Sequence, residues 1–410
     1  MNRETTTAPG RTRLLGLRVQ NFRSLRNVSF HELTPLTVLV GPNGSGKSTL
    51  FDVLAFLAEC FESGLRSAWD RRGRAAELLS RGSSGPVVIE LDVELPDRST
   101  IAYHLAIQQD NGSLAVAEEW MEHRESLSTP TRRLLDYQAG DGYVGDESAG
   151  DSGPRLRQVR LTGADIVAVN ALGQLADNPR VAALRTFIIE WRLNYFTAGS
   201  EEGQPEAGPH RRISASGDNV ANVIQYLAEE HPDRLTETFR ALRRRVPHLE
   251  KLVAEFLPDG RLLLRLKDAP FERPILARFA SEGTLKLLAY LLLLHDPDPP
   301  PLMGIEEPEN YLHPRLLQEL GEDFRGAAEE SQLLVTTHSP FFLNAMRPEE
   351  VWILWRDEFG YTRATCASGI RGVTAALRQG ALLGHLWMEG RFGVGDPLTR
   401  AGAPTRPISP

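Results

Sequence analysis

The octapeptide GPNGSGKS, Gly41 to Ser48, constrains this chain more than any other stretch of it. It satisfies the pattern GxxxxGK[ST], directly after the apolar run Leu36 to Val40 and directly before an apolar stretch of helical spacing, Ser48 to Phe61. Strand, glycine-rich turn and helix in that order make a cradle for phosphate. The glycines let successive backbone N–H groups face inward, the helix N-terminus adds partial positive charge, and Lys47 reaches the terminal phosphates. Gly41, Pro42, Asn43, Gly44, Ser45, Gly46, Lys47, Ser48 and Thr49 are the expected nucleotide-binding residues, with the Ser48 hydroxyl directed at Mg2+. Lysine is scarce here: the others are Lys251, Lys267 and Lys286, and the rest of the 46 Lys+Arg are arginine.

The second informative stretch is PLMGIEEP, Pro301 to Pro308, a short apolar strand that delivers Glu306 and Glu307 at its C-terminal end, where open α/β sheets bind ligands. Two adjacent glutamates are ordinarily a solvated surface pair. Behind a buried strand and downstream of a phosphate loop they take roles: Glu306 holds Mg2+ through a coordinated water, and Glu307 orients and polarises the attacking water. QLLVTTHSP, Gln332 to Pro340, is another buried strand, expected beside the acidic one, and it ends in His338, placed to bond the γ-phosphate or the attacking water. Upstream, Phe22 and Arg23 in LRVQNFRSL either approach the nucleotide or belong to an ordinary edge strand.

Four motifs in order, NFRSL with GPNGSGKST, RFASEGTLKLLAYLLLL, MGIEEPENYLHP and LLVTTHSP, give the chain its family likeness. It resembles an ABC-type ATPase of the SMC/RecF/OLD branch, specifically the compact bacterial stand-alone AAA-type ATPases that lack a TOPRIM nuclease module. The resemblance spans residues 14 to 61 and 274 to 345, and the tail LLGHLWMEGRFGVGDP also resembles the ending of those proteins. It implies an α/β P-loop NTPase fold of ABC type, a mixed sheet with helices on both faces plus an inserted α+β lobe. ATP and Mg2+ are the implied ligands, with Glu307, His338 and Lys47 catalytic and Ser48 and Glu306 on the metal. Ser281 and Gly283, with Thr284 at the same helix start, match the ABC signature, which contacts the γ-phosphate held by the other copy of a head-to-tail homodimer. Asn310 to His313 match the D-loop at that interface, and His338 matches the switch histidine. Glu306 stands where most ABC proteins have aspartate, SEGT replaces LSGG, and Gln108, Gln158 and Gln174 all remain open for the Q-loop. The stretch after His338 is too short for a TOPRIM module, so Asp357, Glu358 and Asp396 read as surface acids.

A length of 410 residues suggests two lobes, and 41% hydrophobic with 24% charged residues excludes wholesale disorder, a collagen or a membrane bundle. Expected divisions are 1–135 (N-terminal ATPase part), 136–270 (inserted lobe), 271–394 (C-terminal ATPase part) and 395–410 (flexible tail), with surface loops at 139–153 and 198–209. The longest apolar run, Leu285 to Leu294, is half a membrane span and contains Lys286. The start, MNRETTTAPGRTR, has no apolar secretory region, and Cys60 and Cys366 make neither a disulfide framework nor a zinc cluster. A cytoplasmic protein without membrane contact is expected. The net charge of −8 argues against coating nucleic acid by bulk charge, which leaves two arginine clusters, Arg66 to Arg81 and Arg240 to Arg245. They form either a groove for double-stranded DNA or solvated helix faces, and Trp120 and Trp191 look too isolated to form a base-stacking platform.

The function expected from all this is an ATPase that acts on DNA or gates a separately encoded nuclease or other effector, in DNA repair, recombination or phage defence. The alternative is a slow nucleotide sensor that serves an effector without touching DNA. A transporter subunit is disfavoured by the missing LSGGQ, and a nucleotide kinase by an acidic pair better suited to activating water.

Overall fold

In the computed structural model, residues 10–110, 112–126, 128–145, 156–196, 208–257 and 262–395 are described. The tail 396–410 with Asp396, most of the expected loops 139–153 and 198–209, and residues 258–261 lie outside them. The N-terminal part runs β1 (Arg13–Phe22), β2 (Leu25–Phe30), β3 (Leu36–Val40), α1 (Lys47–Glu62), α2 (Leu65–Arg71), α3 (Arg74–Leu78), β4 (Val87–Glu94), β5 (Thr100–Asp110), β6 (Ser113–Arg124), β7 (Arg132–Gln138), β8 (Asp141–Gly145) and β9 (Leu156–Arg160). Then come α4 (Ala168–Leu172), α5 (Pro179–Ile189), β10 (Arg192–Asn194), α6 (Val220–Glu230), α7 (Pro232–Arg245), β11 (Leu249–Phe256), β12 (Leu262–Asp268) and β13 (Ile275–Leu276). The C-terminal part holds α8 (Glu282–Leu294), β14 (Leu302–Glu306), α9 (Pro314–Ala327), β15 (Gln332–Thr337), α10 (Pro340–Leu343), β16 (Val351–Arg356), β17 (Thr362–Cys366), α11 (Val373–Arg378) and α12 (Leu383–Met388).

Three sheets result: an eight-stranded one ordered β2-β1-β4-β5-β6-β7-β8-β9, a six-stranded one ordered β10-β14-β15-β3-β16-β17, and a small one ordered β11-β12-β13. In the six-stranded sheet β10, β14, β15, β3 and β16 are parallel and β17 is antiparallel. Its side chains sort by the period of two. Leu36, Val38 and Val40 of β3, Met303 and Ile305 of β14, Leu333 and Val335 of β15, and Val351 and Ile353 of β16 join one core with the C-terminal helices. Leu39, Leu302, Leu334, Trp352 and Leu354 point the other way, into a core shared with α1 and the eight-stranded sheet. Helix α1 therefore lies between two sheets, which explains why its buried residues run from Leu50 to Phe61 on more than one face. Gly304 is where α1 comes closest: a Cβ there would lie 2.6 Å from the Phe51 ring and 2.5 Å from Leu193. The apolar run Leu285 to Leu293 of α8 is buried throughout, a core helix and not a span.

The middle of the chain is divided differently from the expectation. The expected boundary at 135/136 falls inside β7, and β8 and β9 continue the eight-stranded sheet. Only α6, α7, β11, β12 and β13 make the smaller α+β unit, while β10 joins the six-stranded sheet beside β14. β11 pairs antiparallel with β12, from Leu249 opposite Asp268 to Phe256 opposite Leu262. Residues 141–145, read as loop from their Gly/Asp/Ser composition, are strand β8, because Val144 is buried against Leu135 of β7.

Candidate active site

Three neighbouring parallel strands end on one edge of the sheet. Glu306 pairs with Thr336, and Thr337 pairs with Val40, so the acidic pair, His338 and the phosphate loop all emerge together. In the loop, Gly44 and Gly46 hold φ of 75° and 107°, a region where a side chain is strained. A Cβ on Gly46 would also collide with the Thr362 hydroxyl. The N-terminus of α1 has no side-chain cap and no acid in its first turn, which leaves its N–H groups to an anion. Ser45 Oγ is buried without a hydrogen-bond partner.

The Lys47 ammonium donates to the carbonyls of Gly41 at 2.8 Å and Pro42 at 3.3 Å. Burial lowers its pKa to about 8, against the opposing pull of Glu307, Glu309 and Glu306. Ser48 Oγ donates to Glu306 Oε2 at 3.1 Å. A hydroxyl and a carboxylate side by side, with burial raising the pKa of Glu306, form an oxygen donor set suited to a hard divalent cation. Ser48 and Glu306 would hold Mg2+, which supplies charge neutralisation of the phosphates. Among the described residues no group of three His, Cys, Asp or Glu could hold a metal.

Glu307 sits at φ 44°, its N–H donating to the Thr336 carbonyl at 3.0 Å and to Thr336 Oγ1 at 3.2 Å. Its carboxylate accepts from Asn310 Nδ2 at 2.9 Å and lies 3.5 Å from His338 Nε2. Burial and the Lys47 charge lower the pKa of His338, which keeps the imidazole neutral at pH 7. The His338 N–H donates to the Glu309 carboxylate, whose pKa is raised by burial. Thr336, Glu309 and Asn310 thus hold Glu307 and His338 in place. The sequence alone assigns Thr336 and Glu309 no role and Asn310 only an interface role, although Asn310 lies in the ENYLHP stretch of one of the four motifs.

Ser281 caps α8, accepting from the Thr284 N–H at 3.2 Å and lying 2.7 Å from Thr284 Oγ1. Both hydroxyls bond each other and, among the described residues, no phosphate-loop group. Gly283 is pressed against the next motif: a Cβ there would lie 2.5 Å from the Tyr311 carbonyl. The stretches expected to be signature and D-loop therefore meet within one chain. Phe22, open between a place near the nucleotide and an ordinary edge strand, is buried against Phe56, ring centroids 5.7 Å apart, on β1, which lies between β2 and β4 and is not an edge. Arg23 pairs with Asp52 of α1 at 2.8 Å, and Ser24 and Thr362 bond each other behind Gly46. Arg356 donates to the Gly44 carbonyl. Arg23, Ser24, Arg356, Phe359 and Tyr361 line a cavity of about 400 Å3.

Gln108 bonds Asp110, Gln174 bonds the Asn170 carbonyl and Gln158 is exposed on β9, so no contact marks any of them as the Q-loop residue. Asp357 accepts from Phe359, Tyr361 and Arg363 and shapes the β16–β17 hairpin. Trp120 is not isolated, because it stacks on His104 at 5.0 Å and lies under Arg133 at 4.7 Å. No described helix is long and apolar enough to cross a membrane.

Residues 188–344 match the family described as "AAA domain, putative AbiEii toxin, Type IV TA system", and residues 17–122 match one described as an AAA domain. The comparison with curated proteins gave no match. Among solved structures, an SMC head bound to the C-winged helix domain of ScpA superposes at TM-score 0.51 and 15% identity, covering 86% of this chain and 97% of that one. An SMC head from Thermotoga maritima gives 0.42 at 15% identity, covering 86% and 98%. A Pyrococcus furiosus Smc head with an extended coiled coil, bound to the C-terminal domain of ScpA, gives 0.47 at 13% identity, covering 90% and 100%. The fold likeness rests on the first alone. Fold and site together define an ABC-type P-loop ATPase architecture, similar to that of SMC heads. The two segments that match AAA-domain families lie on either side of the strands β7, β8 and β9.

Proposed function

We propose that this protein binds ATP with Mg2+ and hydrolyses it to ADP and phosphate, closing into a head-to-tail homodimer with ATP sandwiched between the copies. Lys47 and the loop N–H groups hold the β- and γ-phosphates. Glu307 takes a proton from water as the water oxygen attacks the γ-phosphorus and the bond to the β–γ bridging oxygen breaks towards ADP. His338 bonds the γ-phosphate or the attacking water, and Asn310 keeps the Glu307 carboxylate aimed. Ser281, Gly283 and Thr284 of the second copy cap the γ-phosphate, so the dimer is stable only while that group is present. The observation that carries this is the convergence on one sheet edge of Ser48 with Glu306, 3.1 Å apart, and Glu307 with His338, 3.5 Å apart. The test is phosphate release under saturating ATP and Mg2+: Glu307→Gln should lose at least 100-fold in kcat while still binding nucleotide, and unchanged turnover would refute the role.

The cycle would act on DNA or gate a partner in DNA repair, recombination or phage defence, in the cytoplasm. One observation favours the partner over the duplex. In the cluster Arg66 to Arg81, Arg66 pairs with Asp165, Arg71 and Arg72 with Glu59, Arg72 also with Asp52, and Arg74 with Asp70. Arginines already neutralised by their own acids release few counterions from a duplex. A slow nucleotide sensor serving a separately encoded effector is the second reading. Stimulation of phosphate release by duplex DNA would favour the first, and ATP-dependent capture of a purified effector without any DNA effect would favour the second.

A further inference from the structure

The second arginine cluster is unlike the first. Arg245 pairs with Glu319 at 3.2 Å and Asp323 at 2.7 Å, but Arg240, Arg243 and Arg244 are exposed and make no ion pair among the described residues. Positive charge in the last turn of α7 complements the helix dipole, which accounts for Arg243 and Arg244 but not for Arg240, a turn earlier. With Phe239 these residues line a cavity of about 690 Å3, the other wall of which is Leu249 to Leu252 of β11.

Four consecutive residues of a regular strand cannot all face one cavity, because side chains alternate. Here the register shifts between Leu249 and Lys251, which lets Leu249 and Leu252 both turn inward while Glu250 and Lys251 stay exposed. The cavity thus runs along the flank of β11. That strand is the edge of its sheet, with β12 as its one neighbour among the described residues. From Lys251 to Phe256 its register is regular, so its outward backbone groups form a template for one more strand. Glu250 is already paired with Lys267, which leaves Arg240, Arg243, Arg244 and Lys251 as the charge around the opening.

We propose that this groove receives an extended acidic segment of a partner protein, which adds a strand to β11 and sets its carboxylates against the arginines. An edge strand supplies backbone bonds, and side chains of the incoming strand alternate between the apolar floor of Phe239, Leu249 and Leu252 and the cationic rim. A duplex would use the rim but leave the floor and the strand edge unpaired. This inference deepens the partner arm of the reading above.

The probe is a fluorescein-labelled ten-residue peptide alternating glutamate with valine, against a lysine–valine control and a 20-base-pair duplex, each titrated onto the full chain by anisotropy. The acidic peptide is expected to bind, the lysine control not, and the double variant Arg243→Glu/Arg244→Glu to weaken binding at least tenfold. Hydrogen exchange should show new protection at the amides of residues 251–256 when the peptide is bound. Fluorescent ATP titrated onto the same samples reports the nucleotide site, which lies on a different sheet, and so separates failure here from failure of the ATPase reading. Duplex that binds instead of the peptide, peptide binding without protection of β11, self-association that the charge reversal abolishes, or no binding at all would each overturn the proposal.

Discussion

The buried ammonium of Lys286 donates to the backbone carbonyl of Glu307 at 3.4 Å. It also lies 5.6 Å from the Tyr311 ring and 5.8 Å from the Tyr290 ring. The helix that begins at Ser281 is thereby tied to the loop that carries Glu307. Glu307 and Tyr311 both hold left-handed backbone conformations, at φ 44° and 68°, and such residues persist only where neighbours impose them.

Replacing Lys286 by Met keeps most of the volume and removes the donor. Because this bond holds the backbone of Glu307, kcat should fall by roughly tenfold for one lost positioning contact, with a smaller loss in nucleotide affinity. Steady-state kinetics beside a fluorescent-nucleotide titration separate the two, and equal losses in both would contradict the relationship.

Gly283→Ala places a methyl 2.5 Å from the Tyr311 carbonyl. Backbone must move, which costs about 1–3 kcal/mol. The expected outcome is a melting temperature lower by a few degrees and loss of ATP-dependent association, read by calorimetry and light scattering. Wild-type behaviour in both would show that the contact is loose.

Lys47 binds phosphate only when protonated, and its pKa of about 8 in the free protein sets a threshold. Above pH 8 each binding event must first capture a proton, so affinity should fall by roughly fivefold between pH 8 and pH 9 and approach tenfold per unit beyond. Lys47→Arg should remove that inflection. A flat profile to pH 9.5 in the unsubstituted protein would place the lysine elsewhere.

Glu119 is fully buried on β6, accepting from Tyr103 Oη at 3.0 Å, from the Val169 N–H at 2.8 Å and from the Ala168 N–H. Burial raises its pKa to about 7 from an ordinary 4.5. Between those values the folded state binds the extra proton, so this group's contribution is full below pH 4.5 and is lost as pH rises to 7, on the order of 3 kcal/mol. Urea midpoints between pH 5 and pH 8 should therefore decline more steeply for the unsubstituted protein than for Glu119→Gln. Parallel profiles would contradict the assignment.

What could be read from sequence divides along the range of the interactions involved. The phosphate loop was legible because its geometry is local: glycines at fixed places, one lysine, a strand before and a helix after. The strands ending in Glu307 and His338 were legible because a run buried on both faces cannot be amphipathic. The roles of Thr336, Glu309 and Lys286 were not, since each depends on pairing between segments distant in the chain. Scarcity was the available clue for Lys286, as a lone lysine in the apolar run of an arginine-rich chain. Strand β8 was hidden by its composition, DGYVG, and by pairing that depends on β7. Without β8 and β9, residues 136–270 read as a separate lobe, although part of them extends the N-terminal sheet.

The mass of Glu307→Gln protein in light scattering, with and without ATP and Mg2+, tests the sandwich most directly. A doubling that requires nucleotide and disappears when Ser281→Arg is added is the expected result. A mass that stays monomeric with ATP, or a dimer indifferent to Ser281, would contradict the account.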